Sequence, residues 1–187
     1  MKALNKAFQR LRHRRGYGVH SPFVYSLLKD LSAPPGSYYN DLILTEELSG
    51  HNRHLRRNAF LIHRLIARLK PKYLYIEDNQ WKDIFRHTAT LADSRIKILS
   101  SLPEKGMNPS MIVCTGKHAE SHLEGMIDFL NAEGQILVLC GEKNDIENAL
   151  DGIRNTLSHG WAVIDRQIAI FISSSLTPFI DYEVKLI

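Results

Sequence analysis

The hydrophobic positions of this chain change their period near residue 71. Before it they recur at helical spacing. Leu4, Ala7, Phe8 and Leu11 fall on one side of residues 2–15, with Lys6, Arg10 and Arg14 on the other, and predict a short amphipathic helix. Gly16 and Gly18 end it. Ser21 followed by Pro22 predicts a second helix start, because a serine side chain caps free N–H groups and proline at the first position has none to lose. Phe23, Val24, Leu27, Leu28 and Leu31 supply its apolar face, and the stretch APPGSYYND over 33–41 reads as a turn-rich connection. A longer helix is predicted from about His54 to Lys70, stopped by Pro71. Leu55, Ala59, Ile62, Ile66 and Leu69 form its stripe; Arg53, Arg57, Arg64 and Arg68 are expected on a solvated side.

After Pro71 short apolar runs alternate with helical segments. YLYIE (73–77), RIKIL (95–99), MIVCT (111–115) and QILVLC (135–140) read as strands. Helices are predicted over about 79–92, 118–131 and 144–157. WAVID (161–165) and IAIFIS (168–173) predict a hairpin, and the final DYEVKLI an edge strand. Continuous apolar strands alternating with helices imply a mostly parallel sheet covered on both faces. Four parallel core strands are expected, with 111–115 beside 135–140 and the hairpin at one side. The implied division is a basic helical extension over 1–70 and an α/β sheet unit over 71–187, packed as one body.

Composition narrows the class. With 187 residues, 44% hydrophobic and 24% charged, neither disorder nor a fibre is indicated. No apolar run reaches the ~20 residues of a membrane helix, and the basic start lacks the apolar stretch of a secretory signal. Two cysteines, Cys114 and Cys140, lie in apolar runs without metal or disulfide spacing, so a reducing cytoplasm is the default. Two buried, inert thiols are favoured over a redox pair. Charge is divided: residues 1–72 carry 14 Lys and Arg against 4 Asp and Glu, a formal +10, whereas the remainder is −6. Packing of a basic part on an acidic part, or on a second copy, is the favoured reading; nucleic-acid binding through the N-terminal half is the lesser alternative. His51, His54 and His63 are too spread for a metal site. No hydrolase triad, phosphate loop or zinc motif is present.

The words Gly18-Val19-His20-Ser21-Pro22-Phe23-Val24-Tyr25, Lys70-Pro71-Lys72 and Thr115-Gly116-Lys117-His118 carry a resemblance. They resemble a family of bacterial proteins predicted to be class I S-adenosylmethionine-dependent methyltransferases, whose N-terminal signature is close to GVHSPFVF. The resemblance extends over nearly the whole chain. It implies a Rossmann-like α/β fold and a cofactor cleft at the strand ends.

Departures from the family pattern bear on function. In the family the first strand ends in an acidic residue and a glycine-rich turn, which lets backbone approach the cofactor at a helix N-terminus. This chain reads Glu77-Asp78-Asn79-Gln80-Trp81-Lys82, without glycine, and Glu77 is displaced by one position from the family's acidic residue. The 32 residues 79–110 are too few for the two strand–helix units the family places there, so truncation by about one unit is expected. Ser100-Ser101-Leu102 stand where a ribose-binding acid belongs. Thr115 and Cys140-Gly141 stand where related enzymes hold a divalent metal with carboxylates. The resemblance thus implies a methyltransferase-like protein without S-adenosylmethionine binding or catalysis, with no cofactor or metal and a repurposed structural or ligand-binding role. An active S-adenosylmethionine-dependent small-molecule O-methyltransferase is the alternative. Asp78, Thr115, His118 and Glu142 are the cleft candidates, none assigned to catalysis. His118 and Glu142 also have plain readings, as a structural histidine at a helix start and as a helix cap. No specific partner is implied beyond a second copy of the chain, and no membrane.

Overall fold

A computed structural model describes residues 21–34, 36–37, 40–115 and 123–186. It is mixed α/β, with one seven-stranded, mostly parallel sheet and six helices among the described residues. The helices are α1 (Pro22–Leu31), α2 (Asp41–Glu47), α3 (Arg53–Leu69), α4 (Lys82–Ala92), α5 (Leu123–Leu130) and α6 (Lys143–Thr156). The strands are β1 (Tyr73–Ile76), β2 (Lys97–Leu99), β3 (Ser110–Thr115), β4 (Ile136–Cys140), β5 (Trp161–Asp165), β6 (Ile168–Ile172) and β7 (Ile180–Glu183). Among the described residues, no helix is long and apolar enough to cross a membrane.

The sheet order is β2-β1-β3-β4-β6-β5-β7. The four expected core strands are parallel, and β3 lies beside β4. The hairpin folds back so that β6, its second strand, enters between β4 and β5 and runs antiparallel to both. Edge strand β7 pairs parallel with β5. Between Glu77 and Pro109 the chain makes one helix and one strand, α4 and β2. This arrangement is compatible with a Rossmann-like fold.

Local chemistry accounts for the helix ends. Ser21 Oγ accepts from Val24 N at 3.3 Å, with Pro22 in the first turn. Asn52 Oδ1 caps α3 by accepting from Leu55 N at 2.9 Å, and Lys70 closes that helix in a left-handed conformation, φ 50°. Phe23 of α1 lies against the Trp161 ring, centroids 4.8 Å apart, and the Ser21 backbone hydrogen-bonds the Tyr182 hydroxyl. The described part of the Gly18–Tyr25 word therefore starts α1 and fastens it to β5 and β7. Residues 2–15 and 18–20 lie outside the described residues.

Helices α1–α4 cover one face of the sheet and share a core with Leu74, Ile76, Met111, Val113, Val138 and Ile170. Helices α5 and α6 cover the other, packing with Ile112, Leu137, Leu139, Ala162, Ala169 and Phe171. The region 22–69 thus supplies much of one layer of the core.

Two expectations are corrected in that layer. Arg64, expected on a solvated side, is wholly buried: it bonds Asp41 Oδ2 at 3.0 Å and the carbonyls of Leu31 and Ala33 at 3.0 and 2.6 Å. Arg57 is also largely covered, pairing with Asp165. A guanidinium can be buried where acceptors converge on its planar donor array, and here the turn after α1 and the first residue of α2 provide them. Helix α2 itself was not expected. Of its apolar residues only Leu44 is buried, with Leu48 just after the helix, while Leu42 and Ile43 face solvent, so the segment carries no clear helical stripe.

Candidate functional site

In parallel α/β sheets, ligands bind beyond the carboxyl ends of the strands where the chain's connections diverge. Here that point lies between β1 and β3. The chain leaves β1 for β2 on one side and returns from β2 to β3 on the other.

Glu77 follows β1 and occupies this point. Its N–H continues the ladder to Val113 O at 2.9 Å, and its side chain turns towards β3. There Glu77 Oε2 accepts from Thr115 N at 3.0 Å and from Thr115 Oγ1 at 3.1 Å. Glu77 is only 9% exposed. The acid after β1 thus takes the end of the neighbouring strand as its partner.

The turn that follows is closed by Asn79. Asn79 Nδ2 donates to Glu77 O at 3.1 Å, and Asn79 Oδ1 accepts from Trp81 N at 2.8 Å. Such side-chain mimicry of a backbone turn needs no positive φ, and none occurs between Glu77 and Lys82. Trp81 is half-buried against the core, edge-on to Phe85 with centroids 6.2 Å apart. The place that the resemblance assigns to a thin glycine turn is filled by an asparagine-closed turn and an indole.

The candidates named from sequence do not converge. Asp78 is 88% exposed and pairs with Lys82 at 3.2 Å. Thr115 is the one held at the switch point, through Glu77. Glu142 occupies the N-cap position of α6 but is exposed, and its carboxylate accepts no capping bond, against the expected helix cap. His118 lies outside the described residues. Glu77, passed over because of its displacement, is the better-placed acid; its position immediately after an apolar strand was the available signal.

A second polar cluster at the same end was not legible in sequence. Asp165, at the end of β5, binds the Arg57 guanidinium and accepts from Leu186 N at 2.7 Å. Arg57 also reaches Gln167 Oε1 at 3.4 Å, and His54 Nδ1 bonds the same oxygen. Gly141, after β4, donates to Gln167 O at 3.2 Å. These contacts clamp the C-terminal tail and the β5–β6 turn onto α3.

Cys114 and Cys140 are free and buried, and they belong to the cores on opposite faces of the sheet. Adjacent strand ends therefore do not make them a redox pair. Burial first, and the Glu77 charge second, push the Cys114 thiol well up; burial alone pushes Cys140 to about 12. Neither is a thiolate near neutral pH. Among the described residues, no three His, Cys, Asp or Glu side chains are grouped to hold a metal.

Compared with protein-family models, with curated proteins and with solved structures, the chain matches none.

Proposed function

We propose that this chain is a methyltransferase-like domain that has given up S-adenosylmethionine binding and catalysis and serves as a binding or structural subunit. The observation carrying this reading is the pair of hydrogen bonds from Thr115 to Glu77 across the β1–β3 switch point. A nine-tenths buried carboxylate whose Oε2 already accepts from two protein donors is poorly placed to serve as the cofactor-facing acid that the resemblance puts after the first strand. Trp81 and the Asn79-closed turn stand where a cofactor needs close backbone approach. The single helix–strand unit between β1 and β3 supports the same reading, since the resemblance implies two.

Calorimetric titration of the full chain with S-adenosylmethionine and S-adenosylhomocysteine tests it. The expected result is no binding tighter than about millimolar, equivalent to ~4 kcal/mol. Micromolar affinity for either compound would overturn the proposal and restore the methyltransferase reading.

A further inference from the structure

At the amino ends of β4 and β5, the edge of the sheet opposite Glu77 and Thr115, three loops surround a cavity of about 330 Å³. The end of α5 and the turn after it supply Leu130, Ala132 and Glu133. The loop before β5 supplies Ser158 and His159, and the chain leaving β6 supplies Ser174 and Ser175. The volume falls within the range of small-ligand sites, roughly 300–1,000 Å³.

Backbone bonds hold these loops together. Ser173 Oγ accepts from Gln135 N at 2.8 Å and donates to Ala132 O, while Ser173 N donates to Gln135 O at 3.0 Å. The loop before β5 is tied to the chain after β6 by Gly160 N to Thr177 O and by Phe179 N to Ser158 O, both 2.9 Å.

The lining has hydrogen-bonding capacity that the protein leaves unspent. Ser174 is only 7% exposed; its Oγ accepts from Leu176 N at 3.4 Å, but among the described residues nothing accepts its proton. A hydroxyl buried to that degree needs an acceptor. Glu133 Oε2 accepts from Ser175 N, and hydrogen bonding from Ser175, side chain first and backbone second, lowers the Glu133 pKa. Glu133 is therefore a carboxylate at neutral pH, with lone pairs left to accept from a ligand. His159 Nδ1 bonds Ser158 Oγ at 2.8 Å, and its Nε2 has no partner among the described residues. The lining residues include no Lys or Arg.

These demands select a ligand class. The ligand must bring an acceptor for Ser174 and a donor for Glu133. An anion would meet the Glu133 charge with no cation to offset it. An ammonium has donors only and would leave the Ser174 proton unpaired. A hydroxyl group both donates and accepts, and the carbon–hydrogen face of a polyol suits Leu130 and Ala132.

We propose that this cavity binds a neutral polyhydroxylated molecule of monosaccharide size, with its hydroxyls on Ser174 and Glu133. The site lies across the sheet from the Glu77–Thr115 edge. It therefore stands or falls independently of the S-adenosylmethionine reading.

The test is a heteronuclear NMR titration of the full chain with glucose, galactose, mannose and myo-inositol, with acetate and ethylamine as charged comparators. At least one of the polyols should give saturable shifts at the amides of Glu133, His159 and Ser175, leaving Asp78 and Thr115 unmoved. Glu133→Gln should weaken that binding about five-fold or more, and Ser174→Ala about three-fold or more. Ser158→Trp, at an exposed lining position, should abolish it by filling the cavity. Lys29→Ala, exposed on α1, should leave it unchanged. If Ser174→Ala does not fold, the exposed Glu133 and Ser158 variants still decide the matter. No saturable shift with any polyol would mean a cavity that holds water only. That result, tighter binding of acetate or ethylamine, shifts confined to other loops, or full affinity in Glu133→Gln or Ser158→Trp would each overturn the proposal.

Discussion

On one face of the sheet, α1 to α4 bring leucines and isoleucines down onto β1, β3 and β4, and Leu74, Met111, Val113 and Val138 are completely buried. On the other, α5 and α6 do the same for β3 to β6, while β1 reaches that core through Tyr75 and, among the described residues, the non-helical crossover 100–109 leads from β2 back to β3. Neighbouring residues of one strand therefore experience different surroundings: Leu74 is inaccessible, whereas Tyr73 and Tyr75 are only partly buried. Leu74 faces the continuous core, and the tyrosines combine ring packing with a polar end that stays wet. Removing a helix from above a sheet does not by itself unfold it. It leaves a surface whose side chains must be amphipathic, and β1 supplies them.

The strongest way to break the comparison is at the connection that completes the covered face. Arg64→Ala would leave Asp41 and the carbonyls after α1 without their shared donor, and should cost about 3–5 kcal/mol in urea unfolding, since it strands a buried charge. A loss under about 1 kcal/mol would show that α2 does not depend on this pair.

Next come two truncations on opposite faces. Leu74→Ala should cost about 2–5 kcal/mol, and Leu99→Ala under about 1 kcal/mol, measured by the same unfolding experiment. Equal losses would mean that the second face is as well packed as the first.

A smaller effect separates the faces by pH. His63, buried among the helices of the first face, has its pKa lowered from 6.5, by burial first; the Asp41 charge opposes this and the Arg64 charge adds to it. A depressed histidine is neutral in the folded state while the unfolded chain takes up protons near 6.5. Stability should therefore be unaffected above that pH and decline as pH falls below it, continuing until the folded histidine also protonates. Thermal melts from pH 8 to pH 5, compared with His63→Gln, would show it: the variant's profile should be flatter over that range.

The smallest change is a rate. Both thiols are buried, one on each face, so reaction with an aromatic disulfide reagent at pH 8 should be slow for both cysteines and accelerate only with unfolding. Rapid labelling of Cys114 alone would place an opening on the second face.

Much of the fold was legible because it rests on local pattern. Ile136–Cys140 is apolar throughout, so it reads as a strand buried on both sides, and it is one. Ser21-Pro22 predicts a helix start from chemistry contained within four residues. The site was less legible. Asp78 is a cleft candidate from sequence and lies exposed, whereas Glu77, set aside as displaced by one position, is the residue that meets β3. Arg64 follows the spacing of a solvated arginine on α3, and no local rule separates it from Arg68, which is exposed and paired with Asp30.

The alternation of apolar runs and helical stripes determined the elements other than α2, the parallel direction of the four core strands and the absence of a second strand–helix unit before β3. These follow from periodicity, chain length and the handedness of connections, all carried by neighbouring residues. Tertiary structure alone decided that β6 rather than β5 meets β4, that Glu77 spends its carboxylate on Thr115, and that Arg64 lies inside. Each depends on groups far apart in sequence, 38 residues for Glu77 and Thr115 and 23 for Arg64 and Asp41, which meet only when the layers close. Burial then turns those meetings into constraints, because a charge removed from water must find its partners within the protein.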